Sequence, residues 1–218
     1  MSGIKVSAGG TAHGQLSAKS IASSVIALAA LTTGLFIAAH HPLSPIGMIA
    51  GCIVAFVICL RFDHAWLLLL PALLPIVDLA PWTGWLTFEE FDILVLGAAA
   101  GAWLRHGWAP GASAPSRPSI TLLILVAITL SLLGISFARG IADAGGFEFG
   151  WFQGYDGPMN SLRLAKSFLL AALFAPLLGR ANSRLDDHGV TYLSWGMALG
   201  LATVSLAAVW ERMAFPGL

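Results

Sequence analysis

Charge is what this chain has least of. Lys, Arg, Asp and Glu make up 10% of its 218 residues, against about 25% in soluble domains. A water-soluble fold is excluded on that ground. The 11 basic residues balance the 11 acidic ones, so there is no basic surplus to hold nucleic acid. Cysteine is almost absent. Cys52 and Cys59 are the only two, and they share one apolar segment, on one helix face about two turns apart, too far to bridge. They read as small buried hydrophobes, and a disulfide scaffold is excluded. There is no GxGxxG in a strand context, no Walker loop, no HExxH and no CxxC. No cofactor or metal is expected.

What fills the chain is apolar. Hydrophobic residues reach 57% and the mean hydropathy is +0.83. This composition belongs to an integral membrane protein, an all-α polytopic bundle of transmembrane helices. Residues 1–20, polar and rich in Gly, Ser and Ala, read as a disordered cytoplasmic tail. The apolar runs then predict helices over about 21–39, 46–60, 65–79, 91–104, 120–137, 162–178 and 190–209. The first has a rival reading as a signal peptide, since Lys19 precedes it and Ile37-Ala38-Ala39 resembles a cleavage site. Its apolar run exceeds the 7–15 residues of a signal core, so it is taken as a membrane helix.

The third and fourth segments, within Trp66–Leu104, organise the rest. Two short apolar runs flank a polar turn holding Asp78, Trp82, Trp85, Glu89, Glu90 and Asp92. Pro71 and Pro75 lie in the third segment, which is expected to be broken there. Proline removes a backbone donor, and in lipid the freed carbonyl needs a partner. The stretch is therefore expected inside the bundle, and whether its two runs cross fully or re-enter is left open. With the N-terminus in the cytoplasm and seven crossings, Lys5, Lys19, Arg61, Arg105, Arg117, Arg180 and Arg184 fall inside. Arg139, Arg163, Lys166 and Arg212 fall outside with most of the acids. This layout satisfies the positive-inside rule and puts the C-terminus outside.

Candidate functional residues gather on that outer side. Arg163 and Lys166, three apart, share a helix face. They form either a cationic clamp for a phosphate group or a snorkelling pair neutralised by Glu89, Glu90, Asp92 or Asp156. Glu89, Glu90 and Asp92 either supply a general base or favour a helix dipole. Trp82, Trp85 and Trp151 either stack on a sugar ring or form an aromatic belt. His40-His41-Pro42 reads as a polar turn, since no third metal ligand lies nearby.

The pattern LPALLPIVDLAPWTGWLTFEEFDILVL, followed by Asn160-Ser161-Leu162-Arg163-Leu164-Ala165-Lys166, resembles the first half of bacterial O-antigen ligase and polymerase-type membrane proteins. The ending Val209–Leu218 is similar to the point just before the large periplasmic loop of such proteins. The resemblance covers roughly Trp66 to Leu218. It implies a bacterial inner-membrane glycosyltransferase acting at the periplasmic face. Such an enzyme moves a glycan from an undecaprenyl-pyrophosphate carrier and needs no metal or nucleotide sugar. It makes Arg163, Lys166 and Arg139 candidates for the carrier pyrophosphate, with Glu90 and Asp92 as structural or substrate-side acids. Family members are longer, so the resemblance implies a truncated product or one half of a split protein, inactive alone and completed by a second membrane half or subunit. Two rivals stand beside it: a non-catalytic membrane scaffold, and a small-solute transporter with a discontinuous helix at its centre.

Overall fold

The computed structural model describes residues 11–77, 85–108, 120–152, 154, 157, 159–183 and 187–214. Trp82, Asp78, Asp156 and Arg117 lie outside the described residues, as does the beginning of the stretch read as a tail. The described residues form seven α-helices and one isolated β-bridge. These are α1 Thr11–Ala39, α2 Pro45–Arg61, α3 Ala65–Val77, α4 Glu90–Trp108, α5 Ile120–Asp143, α6 Asn160–Ser183 and α7 Asp187–Ala214. Four contain spans long and apolar enough to cross a membrane: Ser20–Ala39, Ile124–Asp143, Asn160–Leu178 and His188–Ala214. α2 and α3 are apolar but shorter. α4 has 19 residues and carries Glu90 and Asp92 in its first turn and Arg105 and His106 in its last.

The helix ends differ from the expected ones in instructive places. α1 reaches back to Thr11, into the stretch read as a tail. α5 runs on to Asp143, so Arg139 is helical rather than in a loop. α3 is a continuous helix through Pro71 and Pro75; within 65–77 there is no break. The reason lies on α7. Each proline leaves the carbonyl four residues earlier without its N–H partner: Leu67 for Pro71, and Pro71 for Pro75. Two α7 glycines cover those same carbonyls. A Cβ on Gly196 would lie 2.8 Å from the Leu67 oxygen, and one on Gly200 would collide with the Pro71 oxygen. With only hydrogens on their Cα atoms, Gly196 and Gly200 let the α7 backbone lie against the freed groups, where Cα–H donors face carbonyl oxygens.

α4 is the hub. It packs against α1, α2, α3 and α6, and Ile93, Ala98, Ala99 and Ala100 are wholly buried. Here too glycines set the approach. A Cβ on Gly97 would strike the Cys52 carbonyl, and one on Gly101 the Phe56 carbonyl. α2 and α4 thus run parallel with their backbones in contact. Cys52 and Cys59 are both free thiols buried on this seam. Trp103 Nε1 donates to the Leu173 carbonyl at 2.9 Å, fastening α6 to the hub. At its C-terminal end, Arg105 donates through Nη1 to the Leu60 and Arg61 carbonyls at 3.0 and 2.9 Å. These are last-turn acceptors of α2 that no intrahelical donor reaches. Its Nε also lies 3.7 Å from Asp63.

Candidate functional site

The opposite end of α4 gathers ionisable side chains from three separate segments. The chain enters the helix at Glu89. The Glu89 N–H donates to Asp92 Oδ2 at 2.8 Å, so a carboxylate in the first turn satisfies one of the orphan donors of the helix start. The same oxygen accepts from Lys166 Nζ, in the second turn of α6, at 2.5 Å. Both side chains are buried, Asp92 at 6% and Lys166 at 6% exposure. The Lys166 ammonium also lies over the Phe88 ring, 5.9 Å from its centre, a cation–π contact. Two charges taken out of water demand this degree of mutual satisfaction, because desolvation otherwise outweighs their attraction.

Glu90, one position along, faces the turn between α1 and α2. Its Oε1 is 3.9 Å from His41 Nε2. His41 is 1% exposed, and neither ring nitrogen has a hydrogen-bond partner. Trp151 meets the His41 ring edge-on, 6.0 Å between centres, and Phe149 packs edge-on against Trp151 at 5.5 Å. His40 is turned the other way, its Nδ1 2.9 Å from the Phe36 carbonyl.

The loop that carries Trp151 is tied to the entry of α4. The Thr87 N–H donates to the Trp151 carbonyl at 2.9 Å, and Thr87 Oγ1 donates to the Gly150 carbonyl at 2.6 Å. Leu86 and Phe152 form an antiparallel bridge beside them. Thr87 and Leu86 are completely buried. The outer surface of this corner is aromatic: Trp85, Phe147, Phe149 and Phe152 are all exposed.

The structure therefore brings Glu90, Asp92, Lys166 and Trp151 into one cluster. Arg163 stands one turn before Lys166, half-buried, with Nη2 donating to Asn160 Oδ1 at 3.0 Å. Arg139 is exposed near the end of α5, beside Gly140, whose Cβ position is filled by Ser161 of α6. Glu89 is half-buried at the helix entry and Trp85 faces outward. Of the alternatives left open for Lys166, the ion pair with Asp92 is present. Two members of the cluster were not singled out from the sequence as site residues. His41 read as part of a polar turn, because nothing in its spacing relates it to Glu90 on another helix. Thr87 carried no signal, since its role is a long-range hydrogen bond. Among the described residues no group of three or more His, Cys, Asp or Glu could hold a metal ion. An apolar cavity of about 260 Å³, lined by Ser24, Ala27, Leu28, Leu31, Phe56 and Leu104, offers one hydroxyl and no charge. No known protein family, curated protein or solved structure matches the chain.

Proposed function

We propose that this protein is the membrane-embedded part of a lipid-linked glycan transferase, of the O-antigen ligase or polymerase kind, and that the polar end of α4 is where it meets the carrier. The observation that supports this reading is the convergence of ionisable side chains from α4, α6 and the α1–α2 turn on one end of an apolar bundle. Ionisable groups within membrane helices are expensive and mark functional paths. In this reading the cluster lies at the periplasmic face of the bacterial inner membrane, with seven crossings. Arg163 and Arg139 meet the pyrophosphate of an undecaprenyl carrier, the geometry guanidinium groups match best. Lys166 is held by Asp92 as the support beneath them, and the exposed aromatic residues of the corner lie at the level of the lipid headgroups.

A scaffold role is the second reading. It is favoured by the Lys166–Asp92 pair itself, since a buried, hydrogen-bonded ion pair can serve simply to fix the register of α4 against α6.

Binding of undecaprenyl pyrophosphate to the protein in lipid nanodiscs, followed by native mass spectrometry, separates the two. Carrier recognition predicts that Arg163→Ala weakens binding about tenfold, the scale of one charge-assisted hydrogen bond, and that Arg139→Ala weakens it less. Binding that is absent, or the same in both variants, removes the carrier and leaves the scaffold.

A further inference from the structure

We propose that His41 and Glu90 form a proton-binding site closed by Trp151, and that proton uptake there releases the loop 147–152 from the entry of α4. The starting point is an imidazole in an unusual position. His41 is buried, both of its ring nitrogens lack partners, and Trp151 packs across it. A neutral imidazole tolerates such a site poorly and an imidazolium cannot tolerate it at all, because both nitrogens then carry donors. One acceptor stands ready: Glu90 Oε1 is 3.9 Å from Nε2, a small shift from a charge-assisted hydrogen bond. The second donor has no acceptor within hydrogen-bond distance among the described residues. It needs water, and water reaches the ring only when the loop carrying Trp151 lifts.

The loop is built to do so. Among the described residues, its attachment consists of two hydrogen bonds from Thr87, the Leu86–Phe152 bridge and the packing of Trp151 against the cluster around Ile37 and Ile93. At its start, Gly145 and Gly146 adopt φ of +89° and +119°, and a Cβ on either would meet open space. Their amides close the end of α5, Gly145 N–H donating to the Ala142 carbonyl at 3.1 Å and Gly146 N–H to the Ile141 carbonyl at 2.9 Å, and the two left-handed glycines are the pivot from which the loop leaves the helix.

Among the described residues, the charged and titratable groups around His41 come from three places. Glu90 and Glu89 come from the α4 entry, and the Asp92–Lys166 pair beyond them is self-neutralising. Glu148 of the loop is exposed, and His40 is engaged with Phe36. Burial pushes the His41 imidazole below the usual histidine range, while Glu90 pulls partly back. The sign follows. Below about pH 6.5 an unfolded or opened His41 takes a proton before the closed one does. Acidification through that range and below therefore favours the open loop.

Trp151 emission reports the event directly. It is isolated as the difference between the full chain and Trp151→Phe, both in nanodiscs, titrated from pH 8 to pH 4.5. The expected result is a transition with its midpoint below about pH 6.5. It disappears in His41→Gln and moves to lower pH in Glu90→Gln, which lacks the carboxylate that favours the proton. Hydrogen exchange at the Thr87 amide rises through the same transition. A flat titration, or a transition unchanged in His41→Gln, overturns the proposal. Should His41→Gln fail to fold, Glu90→Gln decides: an unmoved midpoint overturns it equally.

Discussion

α4 and α5 are neighbours in sequence and opposites in the fold. α5 is the more apolar, a helix of Ile, Leu and Val whose membrane-length window is not buried at all. α4 carries two acids, an arginine, a histidine and a run of Gly and Ala, yet twelve of its residues are buried. In a water-soluble protein the order would be reversed, because apolar area drives burial. In lipid, tails are as apolar as leucine, so hydrophobicity does not bring helices together. What does is close backbone approach through small residues, and hydrogen bonding among groups that lipid cannot satisfy. α4 has both; α5 has neither, apart from its contact with α6 around Gly140.

Three experiments probe that contrast. The largest effect is expected from Lys166→Met, which leaves the Asp92 carboxylate buried without its cation and destabilises the protein by about 3–5 kcal/mol. Adding Asp92→Asn removes the orphaned charge while keeping an acceptor for the Glu89 N–H, and recovers most of the loss. Thermal unfolding in detergent, followed by circular dichroism, measures both; a double variant no better than the single one would show that the ion pair is not the issue. Next comes one substitution made at two glycines. Gly101→Ala drives a methyl into the Phe56 carbonyl and is expected to lose about 1–3 kcal/mol. Gly134→Ala meets nothing within 4 Å and is expected to gain up to about 1 kcal/mol from helix propensity. Equal effects in the same unfolding assay would dissolve the distinction between hub and periphery. The smallest is Thr87→Val, which removes the hydroxyl bond to Gly150 and is worth about 1 kcal/mol. It is read best as faster hydrogen exchange around Trp151, with the exchange of α4 unchanged.

Much of the fold was legible. Long apolar runs with prolines and polar turns between them mark helices by length alone, and the seven helices fall where those runs lie. The pairing of freed carbonyls was legible only by half. Pro71 and Pro75 announce that Leu67 and Pro71 will lack donors, but nothing near them in sequence names Gly196 and Gly200 as the cover. The site divides the same way. Lys166 and Asp92 were both visible as outer-side charges, and their pairing was one of several open alternatives. His41 looked like a turn residue.

Composition and run length thus determined by themselves that the chain is helical, apolar and suited to a membrane, because hydropathy and backbone satisfaction are local properties that each segment carries whatever surrounds it. Only the tertiary structure decided which helix is central, which carboxylate holds Lys166, and that His41 lies unpartnered beneath Trp151. Those outcomes depend on backbones approaching within a few ångströms across helices far apart in the chain, and in lipid that approach is selected by small residues and unmet hydrogen bonds rather than by the hydrophobic pattern a sequence displays.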